Sequence, residues 1–438
     1  MLKYILYLIF LTLLSNKLIY NIYSFFFFFF FFFFSNFISF HFFKVSYFFG
    51  MDLYSYNFVC LSIWICLLIA LTNLSSFLIF LNFYMLYLNI LMLMLLIVFT
   101  VMDFFFFFFF FWSSMIPVFL ILFGWGYQPE RLSAGFYLIL YTLFGSLPFL
   151  LIIFYTMNFY GSFSYFLMFK FDNYILVFFL LFSFLVKFPM YGFHSWLPKA
   201  HVEAPVGGSM ILAGVLLSLG GYGFIRLISF TFKFILKFNF LFFGFILWSC
   251  IVLSMICMIQ SDLKMLIAYS SICHMSMVIL GLFSLNSWGI LGSLVLMIGH
   301  GFVSSGMFFL VGMVYSRFSS RSFFILSGLN SVFPSLSLFW FIFCIMNMSC
   351  PPSINLFSEI CLVLICLSWS FYTLYYLFFI LFFSACYSMT IFFLTQHGQS
   401  SNLFSFGSFC FVQEYMILFL HTFPVFGLIL NLIYFFNM

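Results

Sequence analysis

Of 438 residues, 67% are apolar and 5% are Asp, Glu, Lys or Arg, with a mean hydropathy of +1.30. A soluble globule is nearer half apolar, so the chain reads as a membrane protein with no length left over for a soluble domain. Its formal charge of +5 is set by basic residues scattered along the sequence, which argues against a nucleic-acid surface or a polybasic lipid-binding run.

The eleven cysteines stand singly, the nearest pair being Cys361 and Cys366, and no CxxC occurs. Iron–sulfur, haem-attachment and zinc sites therefore lack their ligand spacing. Neither a strand-to-helix GxGxxG nor a phosphate-cradling GxxxxGK is present, so nucleotide and flavin sites have no carrier. Redox chemistry is expected in another chain.

In chain order, the sequence opens on an apolar first span, "MLKYILYLIFLTLLSNKLIY", without the pattern of a transit peptide. Tracts of ten phenylalanines (Phe25 to Phe34) and eight (Phe104 to Phe111) read as lipid-facing sequence that must keep only its apolarity. A spanning helix needs about 20 apolar residues. Polar breaks delimit fourteen candidate segments at 2–20, 23–43, 55–75, 77–100, 102–124, 135–157, 174–197, 206–229, 234–258, 263–284, 288–314, 335–368, 370–394 and 411–435. The expected fold is an all-α polytopic membrane protein of about fourteen helices.

Two segments carry prolines in mid-span: the seventh at Pro189, and the twelfth at Pro351 and Pro352 in "MSCPPSINLFSEI". Proline breaks a helix, and hydrocarbon allows the break only where protein or water satisfies the freed carbonyls. Each broken segment also holds a charge, Lys187 before its proline and Glu359 after its own. Interrupted helices at corresponding places in two halves point to an inverted-repeat transporter with its ion site near the midplane. The implied organisation is residues 1–76 as three N-terminal spans, 77–229 and 234–394 as two inverted five-helix repeats, and 395–438 as a last span.

A charge at the bilayer centre costs about 2.5–3.5 kcal/mol on insertion scales, so Lys187 and Glu359 are candidate functional groups. His194 lies seven residues after Lys187, on the same face if the helix continues. His274 in "SSICHMSMV" and His300 in "MIGHGFVSS" sit at apparent mid-span. Either reading fits them: a proton relay, or a core histidine satisfied by one hydrogen bond. Lys199 and Glu203, spaced i,i+4, suit a simple pair on a short helix, and with His201 they read as loop-positioning residues. Asp262 with Lys264, and Glu130 with Arg131, fall at helix starts and read as capping and orientation residues.

The stretches "KFPMYGFHSWLPKAHVEAPVGGSMILAG", "GWGYQPERLSAG", "SDLKMLIAYSSICHMS", "HGFVSSGMFFL" and "PPSINLFSEI" closely resemble the antiporter-like membrane subunits of mitochondrial NADH:ubiquinone oxidoreductase, respiratory complex I. That family is related to cation/proton antiporters of the Mrp type, and the similarity runs in order from about residue 100 to 395. The resemblance implies a fourteen-helix antiporter-like fold with broken helices seven and twelve and a buried hydrophilic axis. It places the family's helix-seven lysine on Lys187, its two histidines on His274 and His300, and its helix-twelve glutamate on Glu359.

It further implies a subunit of a proton-translocating NADH:ubiquinone reductase in the mitochondrial inner membrane, organelle-encoded. Other membrane-arm subunits, including neighbouring antiporter-like ones, and membrane lipids would be its partners. NADH, flavin, iron–sulfur clusters and ubiquinone would be handled by other subunits, with no cofactor on this chain. Two positions depart from the pattern: Trp112 stands where members usually have a glutamate, and Ser218 where they have a lysine. One negative and one positive charge are lost together. The nearest acid, Asp103, is nine residues before Trp112, about 13 Å along a helix. A structural membrane subunit without conduction, and a free-standing cation/proton antiporter, are the alternative readings.

Overall fold

The computed structural model describes residues 2–13, 18–37, 44–45, 48–74, 80–161, 164–165, 173–399, 410–430 and 432. The expected segment ends at 43 and 435, the turn before 77, and part of the first segment lie outside them. Nine helices among the described residues are long and apolar enough to cross a membrane. Among the described residues the architecture is all-α apart from a two-residue antiparallel pair, β1 (Lys44–Val45) with β2 (Gly50–Met51), and isolated β-bridges.

The helices in order are α1 (Leu2–Leu13), α2 (Leu18–Phe37), α3 (Leu53–Thr72), α4 (Leu81–Thr100), α5 (Phe104–Ser113), α6 (Met115–Trp125), α7 (Arg131–Tyr160), α8 (Tyr174–Lys187), α9 (Trp196–Glu203) and α10 (Val206–Ile211). A π-helical turn at Leu212–Leu216 leads into α11 (Leu217–Ile259). Then come α12 (Leu263–Phe283), α13 (Ser287–Phe318), α14 (Leu329–Val332), α15 (Pro334–Asn347), α16 (Ile354–Trp369), α17 (Thr373–Gln396) and α18 (Val412–Leu430).

The chain forms two compact units. The first comprises Met1–Phe188 and Glu203–Lys237, and the second Pro189–Val202 and Phe238–Met438.

In the first unit, α8 stops at Lys187 because Pro189 disfavours helical geometry for the residue before it. Phe188 is extended, with φ −85° and ψ 97°. Small residues let neighbouring helices approach α8 closely. A Cβ at Gly145 of α7 would meet Val186 at 3.0 Å, and one at Gly220 of α11 would meet the Phe188 backbone nitrogen at 3.1 Å. The phenylalanine tracts are only partly lipid-facing. Phe25, Phe28 and Phe32 of α2 are buried, the latter two edge-on to Tyr4 of α1, and Phe107 and Phe111 of α5 are also buried. Where one face of a helix packs on protein, apolarity alone does not decide which face a residue joins. Elsewhere in the first unit, Arg226 pairs with Asp52 at the start of α3 and donates to the Tyr222 hydroxyl.

The second unit is organised around α13, which packs on α12, α15, α16 and α18. Gly292, Gly299 and Gly306 recur every seven residues along it. Added Cβ atoms there would press on Cys361 and Asn355 of α16 and Phe343 of α15, so any larger residue would force these side chains to move. The twelfth expected segment is two helices, α15 and α16, separated at Met348–Ser353 around the prolines. Across that gap Asn355 Nδ2 donates to the Met346 carbonyl at 3.0 Å, satisfying a helix-end acceptor.

Segments expected at 206–229 and 234–258 run together in the continuous α11, because the stretch between them holds neither glycine nor proline to stop a helix. Asp262 and Glu130 do fall at the N-cap positions of α12 and α7, but neither side chain makes a capping hydrogen bond, so their positions and not the expected capping role are what the structure shows.

Candidate proton-relay groups

In the first unit Lys187 occupies the last turn of α8, where the helix dipole favours a cation. It is 2% exposed. Its ammonium donates to the Phe111 carbonyl at 2.7 Å and lies 3.0 Å from the centre of the Phe111 ring. The carbonyl is reachable because α5 ends at Ser113, where the chain turns through Ser114 into α6. A charge-assisted hydrogen bond and a desolvated cation–π contact are each worth about 2 kcal/mol. Phe111 thus offers neutral groups to this cation, one residue before Trp112, where the resemblance leads one to expect an acid. Trp112 is half-buried. Ser218 is buried and donates to the Val215 carbonyl at 2.8 Å.

In the second unit three of the sequence candidates meet. His274 of α12 has Nδ1 3.8 Å from Glu359 Oε1 of α16, and Nε2 3.4 Å from the Tyr387 hydroxyl of α17. The His274 and His300 rings are 5.6 Å apart, centre to centre. Asn347, the last residue of α15, and Ser349, just beyond it, lie within hydrogen-bonding reach of His274 and Glu359 respectively. An imidazole can take a proton at one nitrogen and release it from the other, and His274 presents its two nitrogens to different titratable neighbours, Glu359 and Tyr387.

His194 is half-buried, stacked on Tyr191 at 5.3 Å and facing Tyr269 of α12. The Gly192 amide donates to its Nδ1 at 3.3 Å. The helical periodicity that would set it two turns beyond Lys187 ends at Phe188, so the same-face expectation fails.

His201 reads from the sequence only as a loop-positioning residue. The structure buries it completely, stacked on Phe308 of α13 at 4.6 Å and 4°, within electrostatic range of His300 and Lys264. Lys264 Nζ and Arg321 Nη1 both donate to the Val202 carbonyl, at 3.3 and 2.8 Å, and so hold the His201 turn in place. Lys264, read from its position as a capping residue, is instead a buried anchor for α9. Among the described residues no group of three or more His, Cys, Asp or Glu could hold a metal.

These observations define a polytopic helical membrane protein whose bundles enclose titratable side chains, several of them within reach of one another. Residues 101–385 match the family described as NADH:quinone oxidoreductase/Mrp antiporter, TM, and residues 1–100 match NADH-ubiquinone oxidoreductase chain 4, amino terminus. The chain is 44% identical over 405 residues to NADH-ubiquinone oxidoreductase chain 4 of Ceratitis capitata, covering 90% of each. It is 46% identical over 395 residues to that of Aedes aegypti, covering 88% of each. A chain of respiratory complex I from Thermus thermophilus, solved with bound NADH, shares the fold at TM-score 0.86 and 21% identity, over 97% of this chain and 94% of that one. The chain belongs to the NADH-ubiquinone oxidoreductase chain 4 family. Within the antiporter-like subunits, subunit 4 is also the one its motifs resemble.

Proposed function

We propose that the chain is a membrane-arm subunit of NADH:ubiquinone oxidoreductase in the mitochondrial inner membrane, carrying protons while electrons pass from NADH to ubiquinone in other subunits. The contact of His274 with Glu359 and His300 supports this reading most directly: a buried acid and two imidazoles within one unit form a chain of proton acceptors. In the reading, Lys187 takes up and releases a proton, His300 and His274 relay one, and Glu359 receives it. His194, half-exposed among aromatic rings, serves as an entry group. The fold behind it is the fourteen-helix antiporter type, with inverted repeats at 77–229 and 234–394, and neighbouring antiporter-like subunits flank the chain.

Lys187→Ala in the assembled enzyme tests this. Fewer protons moved per NADH oxidised is the expected result, and an unchanged ratio would reject the role.

Trp112 and Ser218 favour a second reading, a structural subunit without conduction. It predicts no ordered water beside His274, His300 and Glu359 in a high-resolution map, whereas the leading reading requires it.

A further inference from the structure

α17 turns most of its aromatic side chains outward, and Phe378, Phe379, Phe382 and Phe393 are all exposed. Its inner stripe runs through Leu377, Ile380, Ser384, Tyr387 and Ile391, spaced three and four residues apart as one helix face. Tyr387 is completely buried on that stripe and belongs to none of the motifs that the sequence singles out. A phenylalanine would pack there with no hydroxyl to satisfy, so the tyrosine O–H calls for a partner. Among the described residues that partner is His274 Nε2, at 3.4 Å.

The opposite nitrogen of the same ring, Nδ1, faces the Glu359 carboxyl at 3.8 Å. A neutral imidazole has one N–H and one lone pair, and the hydrogen bond made at one nitrogen sets whether the other keeps the proton. An ionised carboxylate only accepts, and so does the Asn347 carbonyl within reach of the ring. Of these three neighbours, the Tyr387 hydroxyl is the one that can turn its hydrogen towards a lone pair. Facing an ionised Glu359, Nδ1 therefore holds the ring proton, and Nε2 presents the lone pair that Tyr387 caps. Without the hydroxyl, Nε2 loses its donor inside a buried wall, and the Nδ1–H form loses its advantage on that side.

We propose that Tyr387 is a positioning residue for proton transfer: its hydroxyl donates to His274 Nε2 and so holds the ring proton on Nδ1, facing Glu359. No proton passes through the tyrosine itself. When the ring is doubly protonated, the hydroxyl rotates and accepts from Nε2–H, so that side of the ring is satisfied in both charge states. The assignment rests on the proton-carrying reading given above. The titratable groups around the pair are Glu359 of α16 and His300 of α13 beside His274, with Cys250 and Cys257 of α11 and Cys273 of α12 beside Tyr387.

Tyr387→Phe keeps the ring and removes only the hydroxyl. It is tested in the assembled enzyme beside Lys187→Ala, reading protons moved per NADH oxidised at a series of pH values. Tyr387→Phe is expected to lose roughly half or more of what Lys187→Ala loses, with a pH profile displaced from that of the unaltered enzyme, because the change acts on a titratable ring. A hydroxyl that merely steadies α17 would lower the ratio alike at every pH, so a lowered but undisplaced profile overturns the assignment. A normal ratio in Tyr387→Phe beside a lowered one in Lys187→Ala also overturns it and leaves the parent reading standing. A normal ratio in Lys187→Ala overturns both. Failure of Tyr387→Phe to assemble would show that the fold itself needs the hydroxyl, and that too overturns the positioning role.

Discussion

In the first unit the Lys187 ammonium rests on the carbonyl and ring of Phe111, whereas in the second His274 stands between Glu359, Tyr387 and His300. The lysine is held by groups that cannot change charge. The histidine is surrounded by groups that can, so moving one proton in the second unit alters the field at its neighbours, while the contacts made by Lys187 stay the same. A cation held by fixed dipoles suits storage of a proton, and a cluster of mutually coupled groups suits its transfer.

The comparison can be broken most severely at Glu359. Glu359→Gln removes the acid facing His274 while keeping its volume, and protons moved per NADH oxidised are expected to fall as far as in Lys187→Ala. A normal ratio would take the cluster out of the path.

The next effect, about tenfold, is expected in the first unit. Trp112→Glu sets a carboxylate one residue from Phe111, where it would draw Lys187 off the carbonyl and favour its charged form. Proton movement by the assembled enzyme should drop, and adding Ser218→Lys should restore it, since the family's usual acid and lysine are then both present. Equal rates in the unaltered, single and double variants would sink the idea of compensated loss. Phe111→Leu should act least, about two- to threefold in the same assay, because it removes the aromatic face and keeps the carbonyl. An effect as large as that of Lys187→Ala would mean that the ring, and not the carbonyl, holds the cation.

Much of the fold was legible because lipid makes polar residues expensive. Lys187 and Glu359 stood out against apolar neighbours, and Pro189, Pro351 and Pro352 marked the ends of α8 and the gap between α15 and α16. The run-on of α11 was missed, since two lysines in an apolar run look like a turn when no breaker is needed to explain them. His201 was read as part of a loop because it follows a break, yet it is stacked inside the second unit. The first hundred residues carried no motif that sequence reasoning could use, although they match chain 4.

Composition, proline and isolated charge thus determined by themselves that this is a helical membrane protein, where its helices break and which side chains are costly enough to need a function. The partners of those side chains were decided by the tertiary structure alone. A backbone carbonyl such as that of Phe111 is present at every residue and becomes a ligand only where a helix end exposes it.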